Sequence, residues 1–248
     1  MSVKKKTEYM SEAEKYWKKC LDMVFPARCP ICDRPAPVPE LICPACRKKP
    51  VTVKAPRCLK CGKHMEDERE EYCKGCRTGV HWFEQGRGLF LYSSVAVSIY
   101  RFKYAGRQEY ACFYAEQIVK ELGKTIRTWH ADALVPVPIH YTRKRERGYN
   151  QAEVLAREIG KRMGIPVAAN LLKRVRKTLP QKLLDSKERQ NNLKKAFKIC
   201  YNDVKLSTII IIDDIYTTGS TVDAMAREMR RAGIQNIYFV ALAIGSGM

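Results

Sequence analysis

Two adjacent carboxylates, Asp213 and Asp214, stand just ahead of the run Thr217-Thr218-Gly219-Ser220-Thr221. Small hydroxyl residues around a glycine can turn the chain so that backbone N–H groups converge on one anion, above all where a helix begins. Carboxylates immediately upstream accept hydrogen bonds from hydroxyl groups. A ligand suited to both carries a phosphate and, a few ångströms away, hydroxyls for the acidic pair. A solvated acidic turn with Ser220 or Thr221 as a helix cap would account for one Asp and one Thr, but not for the whole run. A second chemistry is written in four Cys-x-x-Cys pairs: Cys29/Cys32, Cys43/Cys46, Cys58/Cys61 and Cys73/Cys76. Each knuckle lets two sulfurs chelate one ion at about 2.3 Å, and a second knuckle completes a tetrahedron.

These residues need elements to hold them. Ile209-Ile210-Ile211-Ile212, bounded by polar residues, reads as a strand buried on both faces in the middle of a parallel sheet. It delivers Asp213 and Asp214 at its carboxyl end, and Thr221 to Arg231 follows as a helix, with Ala232-Gly233 as its stop. Ala133 to Pro138 is a second buried strand, broken by its prolines. It leads into the cations Arg143, Lys144, Arg145 and Arg147, expected in a strand-to-helix loop ahead of a helix over Gln151–Met163. Ligands of open α/β sheets bind at that carboxyl edge. Further strands are expected at Gly88–Tyr92 and Ile237–Ala243, and a helix over 109–122 with Cys112 on its packed face. In Ile99 to Arg107 aromatic and basic residues interleave, a pattern that can stack on bases and hold phosphates, with Arg101, Lys103 and Arg107 as candidate nucleic-acid contacts. The same pattern fits an edge strand or a helix with its aromatics buried.

The fold class is therefore α/β with a central parallel sheet, preceded by a small cysteine module. Residues 1–25 read as an N-terminal amphipathic helix, with Ser11 and Glu14 as a capping box. Residues 26–84 form the metal module and 85–248 the α/β domain. Pairing the cysteines in sequence gives two zinc ribbons, although a cross-braced pairing uses the same residues; iron–sulfur ligation and redox pairs are the other uses of the motif. Residues 29–76 have little apolar material for a core, so the metal supplies most of their folding energy. Closed four-cysteine sites are structural, and His64 and His81 read as surface residues.

The chain has 248 residues and a formal charge of +20. Eight thiolates on two Zn²⁺ would leave about +16, so a polyanionic partner is expected. No apolar run is long enough to cross a bilayer, and the basic N-terminus lacks the apolar segment of a signal peptide. Cytoplasmic placement is expected, where eleven cysteines point to metal rather than disulfides. Residues 171–200 hold ten Lys/Arg against two acids and read as a lid that would exclude water, or as an exposed basic loop.

Ile209 to Thr221, four apolar residues followed by Asp-Asp-x-x-Thr-Thr-Gly-Ser-Thr, resembles the phosphoribosyl pyrophosphate (PRPP) motif of type I phosphoribosyltransferases. The resemblance implies that fold, with Asp213 and Asp214 on the ribose 2′- and 3′-hydroxyls and Thr217 to Thr221 around the 5′-phosphate. Mg²⁺ would accompany PRPP. Arg143, Lys144, Arg145 and Arg147 would meet the pyrophosphate, and Lys182 and Arg189 would serve in the lid. Val135-Pro136-Val137-Pro138 followed by Arg143-x-Arg-x-Arg-Gly-Tyr-Asn-Gln-Ala152, with Arg101-Phe102-Lys103-Tyr104 and the cysteine ribbons, is similar to the ComF family of competence proteins (ComFC-like). Thr178, Gln181, Arg189, Asn192 and Phe197 fit the same pattern. That resemblance implies a role in DNA uptake, with single-stranded DNA and a helicase-like competence ATPase as partners, at or near the inner face of the membrane. Transfer of phosphoribose with release of pyrophosphate is the expected reaction; the alternative is PRPP binding without turnover in a module that binds single-stranded DNA. The departure from type I enzymes is at Pro138-Ile139-His140-Tyr141, where a small or glycine-bearing pyrophosphate turn is usual.

Overall fold

The computed structural model describes residues 17, 26–36, 41–175, 196–200 and 205–245. Apart from Trp17, the N-terminal helix expected within residues 1–25 lies outside them, as do Lys182 and Arg189 and the family-pattern residues Thr178, Gln181 and Asn192.

A four-stranded sheet carries the fold. Its strands are β1 (Gln85–Leu91), β2 (Ala133–Pro136), β5 (Thr208–Tyr216) and β6 (Asn236–Ile244) in spatial order β1-β6-β5-β2, and every pair in it is parallel. β5 is interior. Ile209, Ile210, Ile211 and Ile212 are each fully buried, because alternate side chains of an interior strand enter the two apolar layers on either side. Ile210 and Ile212 pack with α2 (Tyr92–Tyr104), α3 (Tyr110–Thr128) and α5 (Gln151–Met163). Ile209 and Ile211 pack with Val222, Met225 and Met229 of α6 (Ser220–Arg231).

α6 does not cover its face alone. Val53, Met65 and Phe83 belong to the same buried cluster as Ile211 and Met225, together with Cys58 and Cys61. The second half of the cysteine module, which ends in the short helix α1 (Lys74–Thr78), thus takes the place of a long helix against the sheet. Residues 29–76 hold few apolar side chains, and those of the second half, Val53 and Met65, reach into the core of the α/β domain instead of forming one of their own. Gly86 in β1 makes room for this packing, since a Cβ there would lie 1.9 Å from the ring of Phe239. The chain from Val51 to Val53 also runs antiparallel along the outer edge of β1, through Val53 N–H to Leu89 C=O (2.9 Å) and Leu91 N–H to Val51 C=O (2.8 Å).

α3 runs to Thr128, well past the expected end, and α5 has the predicted bounds. The cations expected in a loop instead lie on a short helix, α4 (Tyr141–Arg147). Lys, Arg and Glu are good helix formers, His140 caps the start, and the cations of the last turn complement the carboxyl end of the helix dipole. The two ends of the expected lid segment meet as an antiparallel pair, β3 (Leu172–Arg174) and β4 (Phe197–Ile199).

Candidate functional site

Asp213 and Asp214 both lie within β5, which continues to Tyr216 before the chain turns into α6. Both carboxyls are buried, at 8% and 5% exposure, and the Asp214 N–H donates to Asp213 Oδ1 at 2.8 Å. Their environments differ. Burial, with the neighbouring charge of Asp214, pushes Asp213 up to about 8, despite the counteracting charge of Lys103. Burial acts on Asp214 as well, but Lys103 outweighs it, with help from Gln151 and Arg147, and Asp214 is held below the usual carboxylate range. Lys103 Nζ sits 2.7 Å from Asp214 Oδ2, and Gln151 Nε2 donates to the same oxygen at 2.9 Å.

Behind this pair is a chain of contacts drawn from Arg147-Gly148-Tyr149-Asn150-Gln151. Arg147 donates to Gln151 Oε1 (3.0 Å) and to the Tyr104 hydroxyl (2.8 Å), with its guanidinium 4.5 Å from the Tyr104 ring centre. Tyr149 donates to the Phe102 carbonyl. Asn150 caps α5 through Ala152 N–H (3.1 Å) and donates to Val137 C=O (3.0 Å), so the end of β2 and the start of α5 are fixed together. Gln151, Asn150 and Tyr149 were legible only as part of a signature; their roles depend on which carbonyl or carboxylate the fold sets opposite them.

The turn beyond β5 forms a shallow cradle, open to solvent and lined by Asp213, Thr217, Gly219, Ser220 and Thr221 among others. Gly219 has φ +84, and a Cβ there would lie 2.6 Å from the Tyr216 hydroxyl. Only glycine meets both demands. Thr218 Oγ1 and Ser220 Oγ are 3.1 Å apart, and Thr218 is the exposed member of the run. The N-terminus of twelve-residue α6 opens here, with the positive end of its dipole toward the cradle.

The expected cations divide. Arg143 and Arg147 are partly buried, whereas Lys144 and Arg145 are exposed. Arg174 was not anticipated: burial, reinforced by the like charge of Arg143, brings it down to about 10, while Asp213 pulls the other way. Arg143, Arg174 and Asp213 are therefore electrostatic neighbours. The only sequence hint was that Arg174 lies in the basic stretch over residues 171–200.

The candidate nucleic-acid cations are engaged within the molecule. Lys103 holds Asp214, Arg101 donates to the Ile31 carbonyl (3.2 Å), and Arg107 binds Asp33 (3.0 Å). Burial opposes the ionised form of Asp33, but hydrogen bonds from Tyr110 and Arg107 override it and hold its carboxyl low. Beside Val97, α2 turns two aromatics outward: Tyr100 and Tyr104 are 63% and 58% exposed, with rings 5.0 Å apart.

The cysteines gather in sequence order into two tetrads, Cys29/Cys32/Cys43/Cys46 and Cys58/Cys61/Cys73/Cys76, with the four sulfurs of each within 4.8 Å of one another. Cys32 and Cys43, and likewise Cys61 and Cys73, have sulfurs 3.7 Å apart. Tetrahedral Zn–S bonds of about 2.3 Å require sulfur separations of about 3.8 Å, so both tetrads fit zinc. His64 is exposed as expected, but His81 is not a surface residue: its ring is 8% exposed, and Nδ1 lies 2.8 Å from Asp223 Oδ2 in α6.

Residues 20–77 match the double zinc ribbon domain family, and residues 161–246 match the phosphoribosyl transferase domain family. The chain is 28% identical over 209 residues to competence protein F of Haemophilus influenzae, covering 82% of this chain and 90% of that protein. It is 28% identical over 202 residues to competence protein ComFC of Bacillus subtilis, covering 78% and 80%. It is also 30% identical over 146 residues to DNA utilization protein YhgH of Salmonella typhi, covering 58% and 64%.

Proposed function

We propose that this chain, which joins a double zinc ribbon to a phosphoribosyltransferase domain and is homologous to competence protein F and ComFC, binds PRPP and acts in DNA uptake during natural transformation. The observation that carries the PRPP reading is the run of β5 into α6: two buried carboxylates, then a glycine turn opening a helix N-terminus. In this reading the cradle from Thr217 to Thr221 takes the 5′-phosphate, and Asp213 and Asp214 accept from the ribose hydroxyls. Arg143, Lys144, Arg145 and Arg147 face the pyrophosphate, joined by Arg174 and, from outside the described residues, Lys182 and Arg189. Asp213, buried beside a second carboxylate, suits a ligand that arrives with a divalent cation, and Mg²⁺ would supply charge neutralisation to the pyrophosphate.

Transfer of phosphoribose breaks the C1–pyrophosphate bond and develops positive charge on the ribose ring. The protein's part is to fix the ring, stabilise the leaving group and exclude water. Isothermal calorimetry with Mg²⁺ and PRPP should detect binding that is lost in Asp213→Asn/Asp214→Asn. Unchanged affinity would overturn the site. Steady pyrophosphate release on adding acceptors to the same mixture marks an enzyme, and tight binding without release marks a PRPP-responsive module.

That second reading, a non-catalytic module that also binds single-stranded DNA, is favoured by the exposed Tyr100–Tyr104 pair on a chain of formal charge +20. Either way the protein works on the cytoplasmic side, beside a helicase-like ATPase at the inner face of the membrane. Among the described residues, no helix is long and apolar enough to cross a membrane.

A further inference from the structure

The two cysteine tetrads are attached to different halves of the candidate site. The first ribbon binds the α2–α3 corner: Ser98 donates to Pro30 C=O, Arg101 to Ile31 C=O, and Arg107 and Tyr110 clasp Asp33. The second lies behind the phosphate cradle. The segment leaving it places His81 Nδ1 2.8 Å and Trp82 N–H 2.9 Å from the two carboxylate oxygens of Asp223, in the first turn of α6. Phe83 meets Tyr216 edge-on at 6.4 Å and Phe239 at 4.9 Å, while Tyr216 stacks on Phe239 at 4.4 Å and 12°. Lys63 of the second ribbon lies 5.8 Å over the Tyr216 ring. Tyr216 is in turn the side chain whose hydroxyl lies against Gly219.

Resting on the reading of Thr217 to Thr221 as a phosphate cradle, we infer that the second zinc ribbon is the rear wall of that cradle and that His81 is its positioning residue. The N–H groups at the start of α6 can converge on a phosphate only if the first turn of the helix and the Gly219 bend are held in register. Asp223 fixes the first and Tyr216 the second, and both are held from the second ribbon. His81 touches no ligand in this arrangement; it acts through Asp223. Its other packing partner is Phe83, 4.8 Å away, so its ring also belongs to the wall.

The full chain, loaded with zinc, is titrated with ribose 5-phosphate and with Mg²⁺–PRPP by calorimetry, with zinc content and thermal midpoint measured alongside. His81→Phe keeps the ring and removes the donor. It should weaken both ligands about tenfold while two zinc ions per chain remain. His81→Asn, whose amide can donate to Asp223 from nearly the same point, should restore affinity; a purely space-filling role would give the opposite order. Asp223→Ala, which also loses the Trp82 N–H contact, should weaken both ligands at least as much as His81→Phe, and the double variant should be no weaker than Asp223→Ala alone. Asp223→Ala changes a part-exposed side chain, so the inference can still be tested if His81→Phe does not fold. Wild-type affinity in His81→Phe or Asp223→Ala, or additive losses in the double variant, would overturn the inference. Failure of the unaltered chain to bind either ligand would instead overturn the phosphate reading on which it rests.

Discussion

At the scale of single residues, Asp213 and Asp214 have identical chemistry and opposite behaviour, decided by where one lysine reaches. Lys103 and Gln151 share Asp214 Oδ2, so that carboxylate stays ionised, while Asp213 holds its proton up to about 8. A ribose hydroxyl donates best to an ionised acceptor. PRPP affinity should therefore rise with pH by up to about tenfold per unit between pH 7 and 8 and level off above. Asp213→Asn should flatten that profile, as measured by calorimetry in buffers of different ionisation enthalpy. The stability sign is the reverse. The folded pKa of Asp213 is raised, so its contribution is complete below the ordinary carboxylate range and is lost as pH climbs toward 8. Asp213→Asn should accordingly raise the thermal midpoint by a few degrees near pH 8.5 and leave it unchanged near pH 4. A destabilising ionisable group kept in a core is expected where binding needs it.

At the scale of elements, β5, the turn and α6 were legible because four isoleucines, an acidic pair and a glycine turn are each local signals that agree. α5 was legible through its period. α4 was not: a short run of cations between prolines and glycine looks like a loop, and its helix depends on a His140 cap and the Gly148 end. The Ile99 to Arg107 pattern was ambiguous for a related reason. Periodicity could place aromatics and cations on faces, but only the tertiary neighbours Asp33, Ile31 and Asp214 decide that the cations turn inward and two tyrosines outward. Gly219 offers the sharpest test at this scale. Gly219→Ala adds a Cβ at φ +84 against the Tyr216 hydroxyl, and it should cost about 1–3 kcal/mol in urea unfolding. Its PRPP affinity should fall more than tenfold; native stability in that variant would show that the turn relaxes freely.

At the scale of the whole molecule, the two ribbons are integrated into the α/β domain by different means, the first through polar clasps with half-buried Ile31, Leu41 and Ile42 against one core layer, the second as part of the other core layer itself. Composition could announce zinc but not this, because a cysteine spacing is silent about what surrounds the knuckles. The basic excess belongs to this scale too. If it serves nucleic acid, single-stranded DNA should bind with a log K against log[salt] slope steeper than about −3, and Tyr100→Ala/Tyr104→Ala should weaken binding about tenfold while leaving that slope in place. Binding indifferent to salt would assign the charge elsewhere.

The antiparallel pairing of Val51 to Val53 with β1 has one more consequence. β1 is the outermost strand on its side of the sheet, and its outward N–H and C=O groups are occupied only because the zinc module folds back along them. Metal loss would bare a strand rich in Leu and Phe, the kind of edge on which chains assemble into aggregates. Zinc supply during synthesis thus guards solubility as well as shape, and a fragment begun at β1 would lack that guard.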